Sequence, residues 1–140
     1  MTDAYDVVER APTLSEYRQI CTAVGWDTLI NFDAAAASLG NSLYHVVALC
    51  DHAIVGMARI VGDGAMYFSI QDVAVLPAHQ GHGVGGLLME HVVAYLRTYA
   101  PAQAFVGLFA AEGTHPFYER YGFRVYPALM GMFRITPIEG

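Results

Sequence analysis

The most informative segment of this chain reads Gln80-Gly81-His82-Gly83-Val84-Gly85. It follows an apolar, strand-like run at 72–76 and precedes a segment, 87–99, in which apolar residues recur at helical spacing. The first N–H groups of a helix have no intrahelical acceptor, and the helix dipole favours an anion beside them. Glycines allow that anion to approach the backbone. The segment therefore predicts a phosphate-binding site within residues 80–86.

Length and composition limit the class of protein. A chain of 140 residues can bury a core of its own, so we expect a single domain over residues 1–140. No apolar run approaches the roughly 20 residues of a membrane-spanning helix, and the first residues lack the pattern of a signal peptide. Two cysteines, Cys21 and Cys50, are too few for a disulfide framework, and we expect a reducing, cytoplasmic location.

The charged residues exclude several kinds of chemistry. All 7 basic residues are arginine, so the chain has no lysine for a Walker-type phosphate loop or a Schiff base. The net charge is −6 and the arginines form no basic stripe, which argues against a nucleic-acid partner. An acidic protein suits a cationic substrate such as an amine. We expect no membrane partner.

The pattern of apolar residues predicts an α+β domain with a largely antiparallel sheet. Thr13 and Glu16 form a capping-box pattern at the start of a helix that reaches about residue 24. A short alanine-rich helical turn, the helix at 87–99 and a helix begun by Thr114 complete the predicted helices. The predicted strands are 5–9, 43–50, 53–61, 65–76, 105–109, 123–126 and 130–135.

Two motifs carry a family resemblance. The first is Gln80-x-x-Gly83-x-Gly85, and the second, some thirty residues later, is Phe117-Tyr118-Glu119-Arg120-Tyr121-Gly122-Phe123. Together they resemble the pyrophosphate loop and the FYxxxGF segment of the GNAT superfamily of acyl-CoA-dependent N-acyltransferases. Five short segments are similar to the plastid-type arylalkylamine (serotonin) N-acetyltransferase branch, namely 42–44, 56–59, 62–64, 71–73 and 131–133.

This resemblance implies a fold and an activity. The implied fold is GNAT-like, a mixed, mostly antiparallel sheet of six to seven strands with about four helices. The implied activity is transfer of an acetyl group from acetyl-CoA to a primary amine of a small molecule, by direct attack within a ternary complex. A homodimer is left open, and no metal site is expected because the histidines fall in no ligand frame.

The resemblance also assigns the residues that hold the cofactor. The peptide-like pantetheine arm is expected to lie along the strand before the loop and to bond to the main chain of Val73 and Val75. One of these two N–H groups is expected to face the thioester oxygen as an oxyanion donor. The residues expected beside the pyrophosphate, His82 as a neighbour of the phosphates among them, are Gln80, Gly81, His82, Gly83, Val84 and Gly85.

Two residues are candidates for proton transfer. Tyr118 is the expected general acid, because a phenol with a pKa of about 10 is protonated at neutral pH and can donate to a leaving thiolate. Asp72 is the nearest carboxylate to the position where many members place a glutamate base. Asp72 as a structural acceptor, and Glu112, His115 or a water chain as the base, remain open alternatives. The family's frequent cofactor-binding asparagine is replaced by Ala111.

The acceptor pocket and two rival functions complete the hypotheses. Trp26 and Phe32, on and beside the loop after the first helix, are candidates to line the acceptor pocket. One rival is a dinucleotide-binding oxidoreductase, since residues 81–86 satisfy G-x-G-x-x-G, but no acidic residue lies about 20 positions on. The other is a non-catalytic acyl-CoA-binding sensor or scaffold.

Overall fold

A computed structural model describes residues 4–138 of the chain. These residues form two compact units, one ending at Phe109 and one beginning at Ala110. The first unit contains the strands and the three longer helices, and the second contains one short helix. In chain order the elements are β1 Asp6–Val8, α1 Leu14–Ala23, α2 Ala35–Gly40, β2 Tyr44–Cys50, β3 Ala53–Gly62, β4 Tyr67–Val75, α3 Val84–Tyr99, β5 Phe105–Gly107 and α4 His115–Glu119.

The sheet is mixed and mostly antiparallel, as predicted. Its strand order is β1-β2-β3-β4-β5. The first four strands pair antiparallel in sequence order, and β5 pairs parallel with the first three residues of β4. The four α-helices also match the prediction.

The predicted number of strands was wrong. Within residues 4–138 the sheet has five strands, not six to seven, and the segments 123–126 and 130–135 form no strand. A strand requires a hydrogen-bonded neighbour for its backbone, which an apolar run alone does not supply. Both segments instead leave apolar side chains exposed, with Val125 at 84% and Met132 at 88% of full exposure.

The β2–β3 hairpin and the start of α1 form for local reasons that the sequence displays. Asp51 and His52 both have positive φ (49° and 66°), the backbone that a two-residue hairpin turn requires. At α1, the Glu16 N–H donates to Thr13 Oγ1 (3.1 Å) and the Thr13 N–H donates to Glu16 Oε1 (2.8 Å). The predicted capping box is therefore confirmed.

The helices of the first unit cover both faces of the sheet. α1 and α2 pack on one face in a cluster that includes Tyr17, Leu39 and Met57. On β3, the residue before Met57 is Gly56, and successive strand residues face opposite sides. A Cβ at Gly56 would lie 3.1 Å from Val84 Cγ1, so this glycine allows the start of α3 to pack closely on the other face.

Candidate active site

The glycine loop joins β4 to α3 through backbone that only glycine adopts easily. After a 3₁₀ turn at Pro77–His79, Gly81 and Gly83 have φ of 81° and 84°, in the left-handed region. Gly83 is the N-cap of α3. A Cβ added at Gly81 or Gly83 would meet no atom within 4 Å, so the backbone there borders open space. The loop can therefore admit a ligand to its main chain.

Hydrogen-bond donors are concentrated where α3 begins. The first intrahelical bond runs from the Leu87 N–H to the Gly83 carbonyl (3.1 Å). The N–H groups of Val84 and Gly85 precede it and have no acceptor within the helix. Gln80 has another function, since its N–H donates to Pro77 O (3.3 Å) and its Nε2 donates to Val75 O (3.0 Å). Its side chain thus ties the loop to the end of β4.

β4 carries an edge that no strand of the described sheet covers. β5 pairs only with Tyr67–Ser69, which leaves residues 70–75 of β4 without a strand on that side. The Leu76 N–H donates to Val55 O across β3 (2.8 Å). Because successive residues of a strand point their N–H groups to opposite edges, Val75 and Val73 direct theirs to the uncovered edge. The N–H groups of the two predicted valines are therefore available to a ligand along the edge of β4 that precedes the glycine loop.

The histidines of the loop are engaged with one another and with β1's neighbour Tyr5. The Tyr5 hydroxyl lies 2.9 Å from His79 Nδ1. The His79 and His82 rings meet edge to face, with centroids 6.3 Å apart. His82, a predicted neighbour of the phosphates, therefore belongs to an aromatic cluster at the loop.

Asp72 lies in a buried polar cluster rather than alone. Its Oδ2 accepts from Arg59 Nε (2.7 Å) and from the Tyr17 hydroxyl (3.0 Å). The side chains of Arg59 and Asp72 are only 11% and 14% exposed. Burial and the Asp72 charge raise the pKa of Tyr17. This geometry makes Asp72 an ion-pair acceptor, and its role as general base stays a prediction.

The predicted acceptor residues pack against the core of the first unit. Trp26 and Phe32 are partly buried and both pack against the α1–α2 cluster of the core. The Phe32 ring meets Tyr17 edge to face at 6.3 Å and stacks under the Arg18 guanidinium at 4.2 Å. Phe32 therefore contacts Tyr17, whose hydroxyl donates to Asp72.

The second unit presents Tyr118 on α4. Tyr118 is half-buried against Phe117, with ring centroids 5.0 Å apart, and burial raises the pKa of its phenol. The expected cap at Thr114 does not form, because its hydroxyl donates to the Ala111 carbonyl (2.7 Å) instead of accepting from the helix. Ala111, at the place of the family's asparagine, thus contributes its carbonyl to this turn.

The sequence analysis missed Arg59 and Tyr17 as members of the site. Arg59 could have been recognised, because it is a charged residue within the apolar run 53–61 and a buried charge requires a partner. Tyr17 gave no such signal, since it occupies a regular apolar position of α1. Only the approach of α1 to β4 shows that its hydroxyl bonds Asp72.

Two wider findings bear on the class of protein. In the described sheet the pair β4–β5 is parallel and the other three pairs are antiparallel, whereas a dinucleotide fingerprint belongs to a mostly parallel sheet. The oxidoreductase hypothesis is therefore excluded. In residues 4–138, moreover, every helix is too short or too polar to cross a membrane.

Comparison with known proteins identifies the family of this chain. Residues 41–125 match the family model described as the acetyltransferase (GNAT) domain. An uncharacterized ycf52-like N-acetyltransferase of Prochlorococcus marinus is 32% identical over 84% of this chain and 66% of its own length. Serotonin N-acetyltransferase 2 of rice, described as chloroplastic, is 38% identical over 56% of this chain and 38% of its own. The chain thus spans less than two thirds of these curated relatives.

Solved structures share the fold over most of the chain. A probable acetyltransferase of Staphylococcus aureus superposes with a TM-score of 0.88 at 30% identity, covering 95% of this chain and 100% of that one. A GNAT family acetyltransferase of Brucella melitensis, solved with acetyl-CoA, gives a TM-score of 0.66 at 25% identity over 89% and 85% of the two chains. The predicted family and enzyme class are confirmed, and acetyl-CoA is the cofactor of that family. The chain belongs to the GNAT family of acetyltransferases.

Proposed function

We propose that this protein transfers the acetyl group of acetyl-CoA to a primary amine of a small molecule. One observation carries the proposal, namely that the uncovered edge of β4 runs directly into a left-handed glycine loop and the start of α3. An edge of free main-chain groups suits an amide-containing arm, and a helix start suits a diphosphate. Coenzyme A combines these two chemical features.

The residues present fit this cofactor. Val73 and Val75 would bond the pantetheine arm through their main chain, and Gly81 to Gly85, with His82 beside them, would hold the pyrophosphate. Gln80 would keep the loop in place through its bond to Val75 O. When bound, the cofactor supplies an acetyl group activated as a thioester. The N–H of Val73 or Val75 would stabilise charge on the acyl oxygen.

Two side chains are proposed to handle protons. Tyr118 would donate its phenolic proton to the leaving sulfur, and the raised pKa of this phenol keeps it protonated at neutral pH. Asp72 would receive the proton of the incoming ammonium through a water molecule. Its Oδ2 already accepts two hydrogen bonds, so we assign this role to Oδ1.

The acceptor is proposed to bind beside Trp26 and Phe32. Both aromatic side chains pack against the α1–α2 cluster, Phe32 contacts Tyr17, and aromatic faces can bind an arylalkyl group or a cation. The rice relative, whose name specifies serotonin, supports an amine of this kind. We further propose that the two units act as one acetyltransferase domain in the cytoplasm, a compartment that suits a chain in which the described cysteines, Cys21 and Cys50, form no disulfide. A homodimer stays a prediction that light scattering would check.

The central test replaces Tyr118 with phenylalanine. Tyr118→Phe should lower turnover about 100-fold, the usual contribution of a general acid, while coenzyme A affinity stays within about 2-fold. Turnover is measured as free thiol released from acetyl-CoA with a panel of amines, and affinity by calorimetry. Tyr121→Phe is the matched control, since this tyrosine also packs on Phe117 but lies after α4.

Three outcomes would contradict parts of the proposal. Equal turnover in Tyr118→Phe and the native protein would remove the acid role. If no small-molecule amine is acetylated but peptide lysines are, the acceptor is a protein and not a small molecule. Binding without turnover on either class would favour the sensor hypothesis.

A further inference from the structure

Asp72 occupies a strained position in a β-bulge of β4. Met57 pairs with Ala74 and Arg59 with Gln71, so two residues of β4, Asp72 and Val73, oppose Ala58 alone. Asp72 has φ of +56°, a left-handed conformation that residues other than glycine adopt rarely. Such a conformation persists only where the surroundings impose it.

Arg59 supplies one part of that restraint. Its Nε donates to Asp72 Oδ2 (2.7 Å) from the neighbouring strand. Its Nη1 donates to the Ser38 carbonyl (3.1 Å), to Ser38 Oγ (3.0 Å) and to Ser42 Oγ (3.1 Å). The guanidinium therefore has a fixed position between the end of α2 and the bulge. Because it is 9% exposed, little water competes for these bonds.

Tyr17 supplies the second restraint from another element. Its hydroxyl donates to the same oxygen of Asp72 (3.0 Å), and its ring is 3% exposed within the α1–α2 cluster. The Asp72 carboxylate is thus held from α1 and from β3 at once. Because only two side-chain torsions separate this carboxylate from the main chain, two donors on it restrict the backbone conformation of Asp72.

The two restraints on Asp72 also affect the main chain of the next residue, Val73. Counted back from the Leu76 N–H, which donates to Val55 O on β3, alternation along β4 directs the Val73 N–H to the uncovered edge. The direction of this N–H depends on the backbone angles of residue 72, whose φ is +56°. We propose that Arg59 and Tyr17 are positioning residues for acetyl transfer, which aim the Val73 N–H by holding Asp72 in its left-handed conformation. This inference rests on the proposed function, in which the N–H of Val73 or Val75 faces the acyl oxygen, and it selects Val73.

The first test measures the backbone without any cofactor. In Tyr17→Phe and Arg59→Gln, the backbone chemical shifts of residue 72 should leave left-handed values, and the Val73 amide resonance should move. Tyr44→Phe and Arg97→Gln are matched controls, since the Tyr44 hydroxyl bonds Glu9 (2.9 Å) and Arg97 is an exposed residue of α3. Unchanged shifts at residues 72 and 73 in both test variants would overturn the proposal. Arg59→Lys replaces Arg59→Gln if the latter does not fold.

The second test compares two variants that lack the carboxylate equally. Asp72→Gly adopts a positive φ without strain, whereas Asp72→Ala does not. If the backbone matters, kcat of Asp72→Gly should exceed that of Asp72→Ala by about 5-fold or more, with equal coenzyme A affinity. Loss of a base affects both variants alike, so equal kcat values would overturn the positioning function. A native protein without turnover would instead contradict the proposed function, and the shift measurements would still decide the inference.

Discussion

Gly83 shows how one residue can serve both the fold and the site. Its φ of +84° lets the chain turn from the loop into α3, and nothing lies within 4 Å of the position where a Cβ would be. Room for a side chain therefore exists in the folded protein. In the proposed complex, however, that same space belongs to the diphosphate.

Gly83→Ala should separate these two functions. Because the backbone at this position is left-handed, the substitution should lower the free energy of unfolding by about 1–2 kcal/mol. Coenzyme A affinity, measured by calorimetry on the folded variant, should fall by more than 10-fold. Gly25→Ala is the control for strain, because Gly25 has φ of +87° and an equally open Cβ position. The phosphate-loop assignment fails if both variants bind coenzyme A as the native protein does.

The residues of the site differ in how readily the sequence reveals them. The glycines of the loop and Tyr118 stand in a recognisable order along the chain. Arg59 and Tyr17 do not, since their connection to Asp72 joins residues 13 and 55 positions apart. A hydrogen bond across such separations depends on how elements pack, which local patterns do not encode.

Among the elements, α1 depends most visibly on its first turn. Thr13 and Glu16 satisfy each other's backbone N–H, and Arg10 pairs with the Glu16 carboxylate at 2.8 Å. This pair holds the pKa of Glu16 below its usual value. The start of α1 matters for the site because the helix carries Tyr17.

Thr13→Ala should therefore destabilise the fold by about 1 kcal/mol, the usual cost of a lost N-cap. Urea unfolding followed by circular dichroism measures this change. Thr13→Ser keeps the hydroxyl and should lie within a few tenths of a kcal/mol of the native protein. If serine and alanine destabilise equally, the hydroxyl contributes no cap.

Sequence patterns alone do not decide whether a short apolar run forms a strand. The runs at 105–109 and 130–135 look alike in sequence, both short and apolar. The first forms β5 because Phe105–Gly107 finds Tyr67–Ser69 as a parallel neighbour, whereas the second finds no strand within the described residues. A neighbouring strand decides the outcome, and its presence is not written in the run itself.

At the scale of the whole molecule, stability should depend on pH through His45. This imidazole lies in β2, its Nε2–H donates to the Leu39 carbonyl (2.8 Å), and burial lowers its pKa below the ordinary 6.5. As the pH falls below about 6.5, the unfolded chain binds a proton that the folded protein does not, so the free energy of unfolding decreases. The decrease ends once the pH passes the lower pKa of the folded state.

His45→Gln should reduce this acid sensitivity. Glutamine can still donate to Leu39 O but does not titrate, so the midpoint temperature should fall less between pH 7 and pH 5 than in the native protein. Calorimetric scans of both proteins at matched ionic strength give the comparison. An identical pH dependence in the two proteins would show that His45 is not the group responsible.

The sequence by itself determined the longer elements of the first unit, the glycine loop, the capped helix and the family. These features rest on neighbours along the chain, namely backbone preferences, capping side chains and short motifs. Only the tertiary structure decided that five strands form, that β4 keeps an uncovered edge, and that Arg59 and Tyr17 meet at Asp72. Those outcomes depend on which elements pack together, because backbone pairing and buried charge are satisfied by residues far away in sequence.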